Sequence, residues 1–236
     1  MKTNPKKNCS NSGDINNHPI TAQDVISKLR KLYGTVKWRP RYDPITELVF
    51  TILSQHTSDV NSQRAFDNLI GHFSTIQNIA DGDTEIISRC IKIGGLNQVK
   101  APRIKAVLNR IRQLRPDMDL TFLKKLPLEE SKAWLQQLPG IGPKSAAVVL
   151  CFSLGLPAMA VDTHVYRVSK RLGLITNSTT VDQAHPILEK LVPPRDVFQL
   201  HTSLITHGRR TCKAINPICD ECPFAKQCPS SLVNLK

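Results

Sequence analysis

The chain has 236 residues, 40% of them hydrophobic, enough for one large core or two small ones. No apolar run approaches the ~18 residues that cross a bilayer, and the first eighteen residues lack the apolar stretch of a secretory signal, which excludes a membrane or secreted protein and predicts a cytoplasmic one with a disordered tail over residues 1–18. The formal charge is +13, with ten basic residues between Arg89 and Lys125 against only Asp117 and Asp119, so a polyanion is the expected partner, a solvated basic face being the plainer alternative. Aromatic residues make up only 5%, which argues against single-strand binding on stacked rings.

Taken in chain order, nearly every segment has helical rather than alternating periodicity, and the fold class is all-α. Thr21 reads as the N-cap of a helix running to Tyr33. Asp43-Pro44 opens a second helix, with proline in the tolerated first turn. Asp59 to Ile70 forms a third, ended by Gly71, and Asp83 to Ile91 another, ended by Gly94-Gly95. Pro102 to Leu114 is amphipathic, with Ile104, Val107, Leu108 and Ile111 on its inner face. Ser131 to Leu138 is short. Ser145 to Leu154 has no polar face and belongs at the centre of a core. Further helices are predicted over 163–172, 181–191 and 196–207. After about Gly208 the periodicity gives way to cysteine, proline and polar residues.

Between two of these helices stands Leu138-Pro-Gly-Ile-Gly-Pro-Lys144. Gly140 and Gly142 let the chain turn tightly and bring backbone N–H groups close to a partner, and the next helix starts at its positive dipole end. Such a turn suits a phosphate, although an ordinary helix–helix turn also favours glycine. A lysine in the first turn works against the helix dipole, so Lys144 is not there for helix stability. Asp162, in Ala160-Val-Asp-Thr-His-Val-Tyr-Arg-Val168, reads as an N-cap. A capping carboxylate is held rigidly, which also suits it to stabilise positive charge on a sugar. His164 fits a packing or phosphate-contact role better than that of a base.

Seven cysteines in a reducing compartment are not expected to pair as disulfides. Cys90 and Cys151 read as inert core residues and Cys9 as part of the tail. Cys212, Cys219, Cys222 and Cys228 form a C-x6-C-x2-C-x5-C run, which can hold a structural zinc or an iron–sulfur cubane. Zinc ribbons usually show two x2-spaced pairs and this run has one, so spacing leans towards iron. Arg209, Arg210, Lys213 and Lys226 around the run suggest that it also faces phosphate.

Together, Leu138–Ala146, Ala160–Val168, His207-Gly-Arg209 and the cysteine run make the chain from about Leu48 to Cys228 resemble the endonuclease III family of helix-hairpin-helix DNA glycosylases. The resemblance implies two helical lobes: a barrel over 45–156 carrying the hairpin at 138–145, and a second lobe of 19–44 plus 157–236 with a cluster loop at 209–228. It implies a 4Fe–4S cluster on the four cysteines and a monomeric, nucleoid-associated enzyme of base excision repair. Its partner would be duplex DNA with damaged bases, oxidised pyrimidines foremost, or abasic sites. Lys144 would be the nucleophile and Asp162 its partner, giving a Schiff base, β-elimination and a strand nick. Gly140, Gly142, His164 and Arg209 would contact DNA, and Leu96 would be a wedge filling the gap left by an extruded nucleotide. The family usually has glutamine as second filler. Here His56 takes that place and Gln55 stands one residue earlier, leaving both as candidates.

Two rival readings are an adenine-mismatch glycosylase of the same superfamily and a non-catalytic, zinc-bearing DNA-binding module. Lys144, and a chain that ends eight residues after Cys228, favour the lyase branch over the first.

Overall fold

A computed structural model describes residues 19–235, and the tail expected over 1–18, with Cys9, lies outside the described residues. Among the described residues there are eleven α-helices, a few short 3-10 turns and no strand. The helices are α1 (Ala22–Tyr33), α2 (Pro44–Ser54), α3 (Asp59–Phe73), α4 (Ile76–Asp81), α5 (Thr84–Cys90), α6 (Asn97–Leu114), α7 (Leu128–Gln136), α8 (Pro143–Leu154), α9 (Thr163–Arg171), α10 (Val181–Lys190) and α11 (Val197–Arg210). No helix among the described residues is long and apolar enough to cross a membrane.

Caps set most boundaries. Thr21 and Asp24 form a reciprocal capping box at α1, and Asp43 accepts from Ile45 and Thr46 N–H ahead of Pro44. Tertiary packing moves others. The third helix runs through Gly71 to Phe73, because Ile70 and Phe73 pack on the core, and Ser74 takes the left-handed cap instead. α6 starts five residues before Pro102 and tolerates the missing N–H inside its second turn. α4, opened by the Thr75 cap, is too short for its periodicity to stand out in the sequence.

Buried apolar side chains fall into two clusters. One draws on Ile45 through Ala160, with α2 and α8 packed together at its centre. The other joins Ile20–Leu29 of α1 to residues from Met159 to Cys228, with α11 against α1 and α9. The chain crosses between lobes at about 34–44 and 155–162. The first crossing lies over the end of α8, whose last carbonyls have no intrahelical partner. The Trp38 indole N–H donates to Cys151 O at 2.8 Å and Arg41 N–H to Phe152 O at 3.2 Å.

Gly155 ends α8 at φ 68°, and a Cβ there would meet the Trp38 ring at 3.1 Å. Gly155→Ala is expected to cost about 1–3 kcal/mol, from the left-handed backbone plus the displaced indole. Urea unfolding should show a lower midpoint with an unchanged slope. An unchanged midpoint would mean that the lobe crossing bears no load on this contact.

Candidate active site

A cleft of about 910 Å³, open at its mouth, runs between the lobes. Lys144, Ser145, Gln55 and His56 line one wall and Asp162, His164, His201 and Arg209 the other. Six of the sequence-predicted residues, Gln55, His56, Lys144, Asp162, His164 and Arg209, thus meet in one place, although they span more than 150 positions of the chain, whereas Leu96, Gly140 and Gly142 lie outside the cleft lining.

Lys144 is the second residue of α8, whose N-cap Gly142 makes no side-chain capping bond. Pro139, Gly140, Gly142, Pro143 and Lys144 are exposed while Leu138, Ile141 and Ser145 are buried, so the hairpin is anchored at its ends and middle and presents the rest of its turn to solvent. Gly140 needs its glycine twice over. Its φ is 71°, and a Cβ would meet Arg103 Nε at 2.8 Å. Arg103 also donates to Gln55 Oε1 at 3.0 Å, and Gln55 Nε2 to Ser145 Oγ at 3.4 Å. The hairpin is thereby tied to the loop between α2 and α3. Sequence reasoning missed Arg103 and Ser145, whose partners are distant in the chain.

Asp162 caps α9, accepting from Val165 N–H at 2.7 Å through Oδ1. His164 Nδ1 lies 3.1 Å from Arg167 Nη2, and a Cβ at Gly208 would come within 2.9 Å of His164 Cβ. The glycine of His207-Gly-Arg209 therefore lets α9 and α11 approach closely. Arg209 reaches across the cleft mouth to Asp59 at 2.9 Å; both side chains are well exposed, so the pair adds little stability and leaves the guanidinium available to an anion.

Leu96 is half-exposed, at 53%, and has left-handed backbone, φ 52°. His56 is likewise exposed at φ 53°, whereas Gln55 is part-buried and bonded at both ends of its amide. Between the two loops lies Lys100, only 2% exposed, donating to Leu53 O at 2.8 Å and Gly94 O at 3.1 Å. Burial pushes its ammonium below the ordinary lysine value. Arg41 lines the far end of the cleft, over the Phe50 ring at 4.5 Å and paired with the fully buried Glu47.

The four C-terminal cysteines, all inside or half-inside the surface, line one small cavity with Leu172, Ile218 and Ala225. Among the described residues no group of three or more His, Cys, Asp or Glu side chains is placed so that it could hold a metal ion. Arg171 Nη1 lies 3.4 Å from Cys212 Sγ, and the Cys228 thiol is 3.1 Å from Arg171 O. Burial pushes the Cys222 thiol up to about 11 and raises that of Cys228 as well. Cys151 is a core thiol, pushed up to about 12 by burial.

Two helical lobes, a glycine-rich turn carrying a lysine and a capping aspartate across a cleft define a class of DNA-repair enzyme. Residues 49–194 match the family HhH-GPD superfamily base excision DNA repair protein. Endonuclease III of Thermotoga maritima is 35% identical over 186 residues, 79% of this chain and 83% of that protein. A DNA glycosylase assigned in Arabidopsis thaliana is 35% identical over 175 residues, 74% of this chain, and the chain spans 57% of that plant protein. A trapped endonuclease III–DNA covalent intermediate aligns with a TM-score of 0.78 and 27% identity, covering 92% of this chain and all of that one. The chain belongs to the HhH-GPD superfamily of base excision DNA repair proteins, in its endonuclease III branch of DNA glycosylases.

His201, 2% exposed on the cleft wall, has its pKa pushed down to about 4, chiefly by burial. Between about pH 6.5 and 4 the unfolded chain binds a proton that the folded imidazole does not. Stability is therefore expected to fall with acid across that window, by on the order of 3 kcal/mol for this group. His185 and His207 are shifted in the same direction. Denaturant unfolding at about pH 7 and about pH 5 should show the loss, and His201→Gln should reduce the difference. Equal pH dependence in variant and parent would show that this imidazole is not the source.

Proposed function

We propose that the chain excises damaged bases, oxidised pyrimidines foremost, from duplex DNA and then cleaves the strand at the abasic site, with Lys144 as the nucleophile. The observation that carries this reading is the placement of Lys144 and Asp162 on opposite walls of one cleft, each fixed at a helix N-terminus. The exposed turn at 139–144 suits a phosphate beside the site, since the first N–H groups of α8 have no intrahelical acceptors. Duplex DNA laid over the cleft would remove the open amine from water.

In the proposed reaction the neutral Lys144 amine attacks C1′ of an extruded nucleotide, the glycosidic C–N bond breaks, and the base leaves with that electron pair and takes up a proton. Asp162 stabilises the positive charge that develops on the sugar. Ring opening gives a Schiff base between Lys144 and C1′. Loss of a C2′ proton then expels the 3′ phosphate, and water releases the amine. Extruding the base costs a few kcal/mol of stacking, which side chains entering the duplex offset. Leu96 and His56 have the exposure for this. Gln55 is engaged in holding the hairpin, so His56 is the second filler.

We infer further that Cys212, Cys219, Cys222 and Cys228 hold a 4Fe–4S cluster. Four cysteines that line one mainly apolar cavity support this reading, and the cluster would supply a cross-link for a loop with little apolar content of its own.

Replacing Lys144 by Gln should abolish the covalent complex trapped by borohydride on a lesion-bearing duplex and leave duplex binding within a fewfold, because other groups carry the phosphate contacts. Equal loss of both would make Lys144 a phosphate anchor. Asp162→Asn keeps the cap, since Asn caps about as well as Asp, so stability should hold while base excision falls by orders of magnitude. An active Asp162→Asn enzyme would leave the carboxylate structural only. Cys219→Ser should lower bound iron, weaken affinity for an abasic duplex and flatten the slope of log K against log salt. An iron-free variant with unchanged slope would remove the loop from the DNA interface.

A further inference from the structure

Lys100 is costly where it stands. Its ammonium is buried, its bonded partners are two backbone carbonyls, and it lies in the first turn of α6, where a positive charge opposes the helix dipole. Helix stability does not call for it. The two carbonyls explain it better. Leu53 O belongs to the last turn of α2 and Gly94 O to the end of a 3-10 turn, both negative dipole ends with spare acceptor capacity.

Each carbonyl lies just before one of the two proposed fillers, both exposed and left-handed. Leu53 precedes His56 by three positions and Gly94 precedes Leu96 by two. The rest of the second loop is fixed from outside: a Cβ at Gly94 would lie 3.1 Å from Ala65 Cβ of α3, and Asn97 Nδ2 donates to Ser88 Oγ at 2.7 Å. Lys100 is thus one side chain that bonds directly to both loops. Resting on the activity proposed above, we propose that Lys100 is a positioning residue that holds the His56 and Leu96 loops at one separation, so that both side chains enter the duplex together when a paired base is extruded.

The role predicts an asymmetry between substrates. A paired lesion must be unstacked before it reacts, and fillers in the wrong place forfeit that step. A preformed abasic site has no base to unstack. The test is single-turnover kinetics of the full chain and its Lys100→Met variant on two duplexes, one with thymine glycol opposite adenine and one with a preformed abasic site. Excision of the paired lesion should fall by about 10- to 100-fold, the scale expected of small misplacement, while cleavage at the abasic site stays within about twofold. In a double-mutant cycle with His56→Ala/Leu96→Ala, most of the effect of Lys100→Met should vanish once the fillers are gone. Should Lys100→Met not fold, the same ratio is read in Lys100→Gln, which keeps two N–H donors but is too short to span both carbonyls. Equal loss on both duplexes, no loss on either, or full additivity in the cycle would overturn the positioning role. Absence of excision and of any trapped complex in the parent chain would instead overturn the activity on which it rests.

Discussion

The cleft depends on how α8 is buried. Its residues from Ser145 to Leu154 are almost wholly inside the first lobe, so neither its direction nor its register can drift. Its N-terminus, by contrast, is open, and that is where Lys144 stands. At the other end Gly155 turns the chain, Trp38 and Arg41 take up the last carbonyls, and seven residues later Asp162 caps α9. One buried helix thus fixes the amine at one end and leads the chain across to the carboxylate at the other. The two groups need no direct contact. Each is located by the helix it begins.

Much of this was legible in the sequence because it rests on local chemistry. An unbroken apolar stretch gave α8 its central place, an aspartate before an apolar-periodic stretch gave the cap of α9, and the glycines at 140 and 142 gave the turn. What escaped is long-range. Arg103 bonds Gln55, 48 positions away in the chain, and Lys100 bonds Leu53, 47 positions away. Local pattern carries no trace of such partners. Nor does local pattern show that the Gln55 amide is bonded at both ends while the neighbouring His56 imidazole is exposed.

The basic stretch from Arg89 to Lys125 shows how charge counts mislead in detail. As a whole it gives the molecule the positive sign that a polyanion requires. Yet Lys100 is buried, Arg103 lies over Gly140, Lys105 donates to Gly82 O at 2.7 Å, Arg112 pairs with Asp81 and Arg115 packs over Phe122. Half of the ten therefore have structural partners in the folded chain. The positions nearest the cleft that can meet a phosphate come from elsewhere: the backbone of the hairpin, Lys144 and Arg209.

The central claim is that one particular amine becomes covalently attached to sugar. Reduction of the reacting complex with borohydride on a thymine glycol duplex, followed by protease and nuclease digestion and mass spectrometry, locates that attachment on the sequence. A deoxyribose-derived adduct is expected on the peptide containing Lys144 and on no other amine. An adduct on a different residue, or base excision at full rate with no adduct, would contradict it.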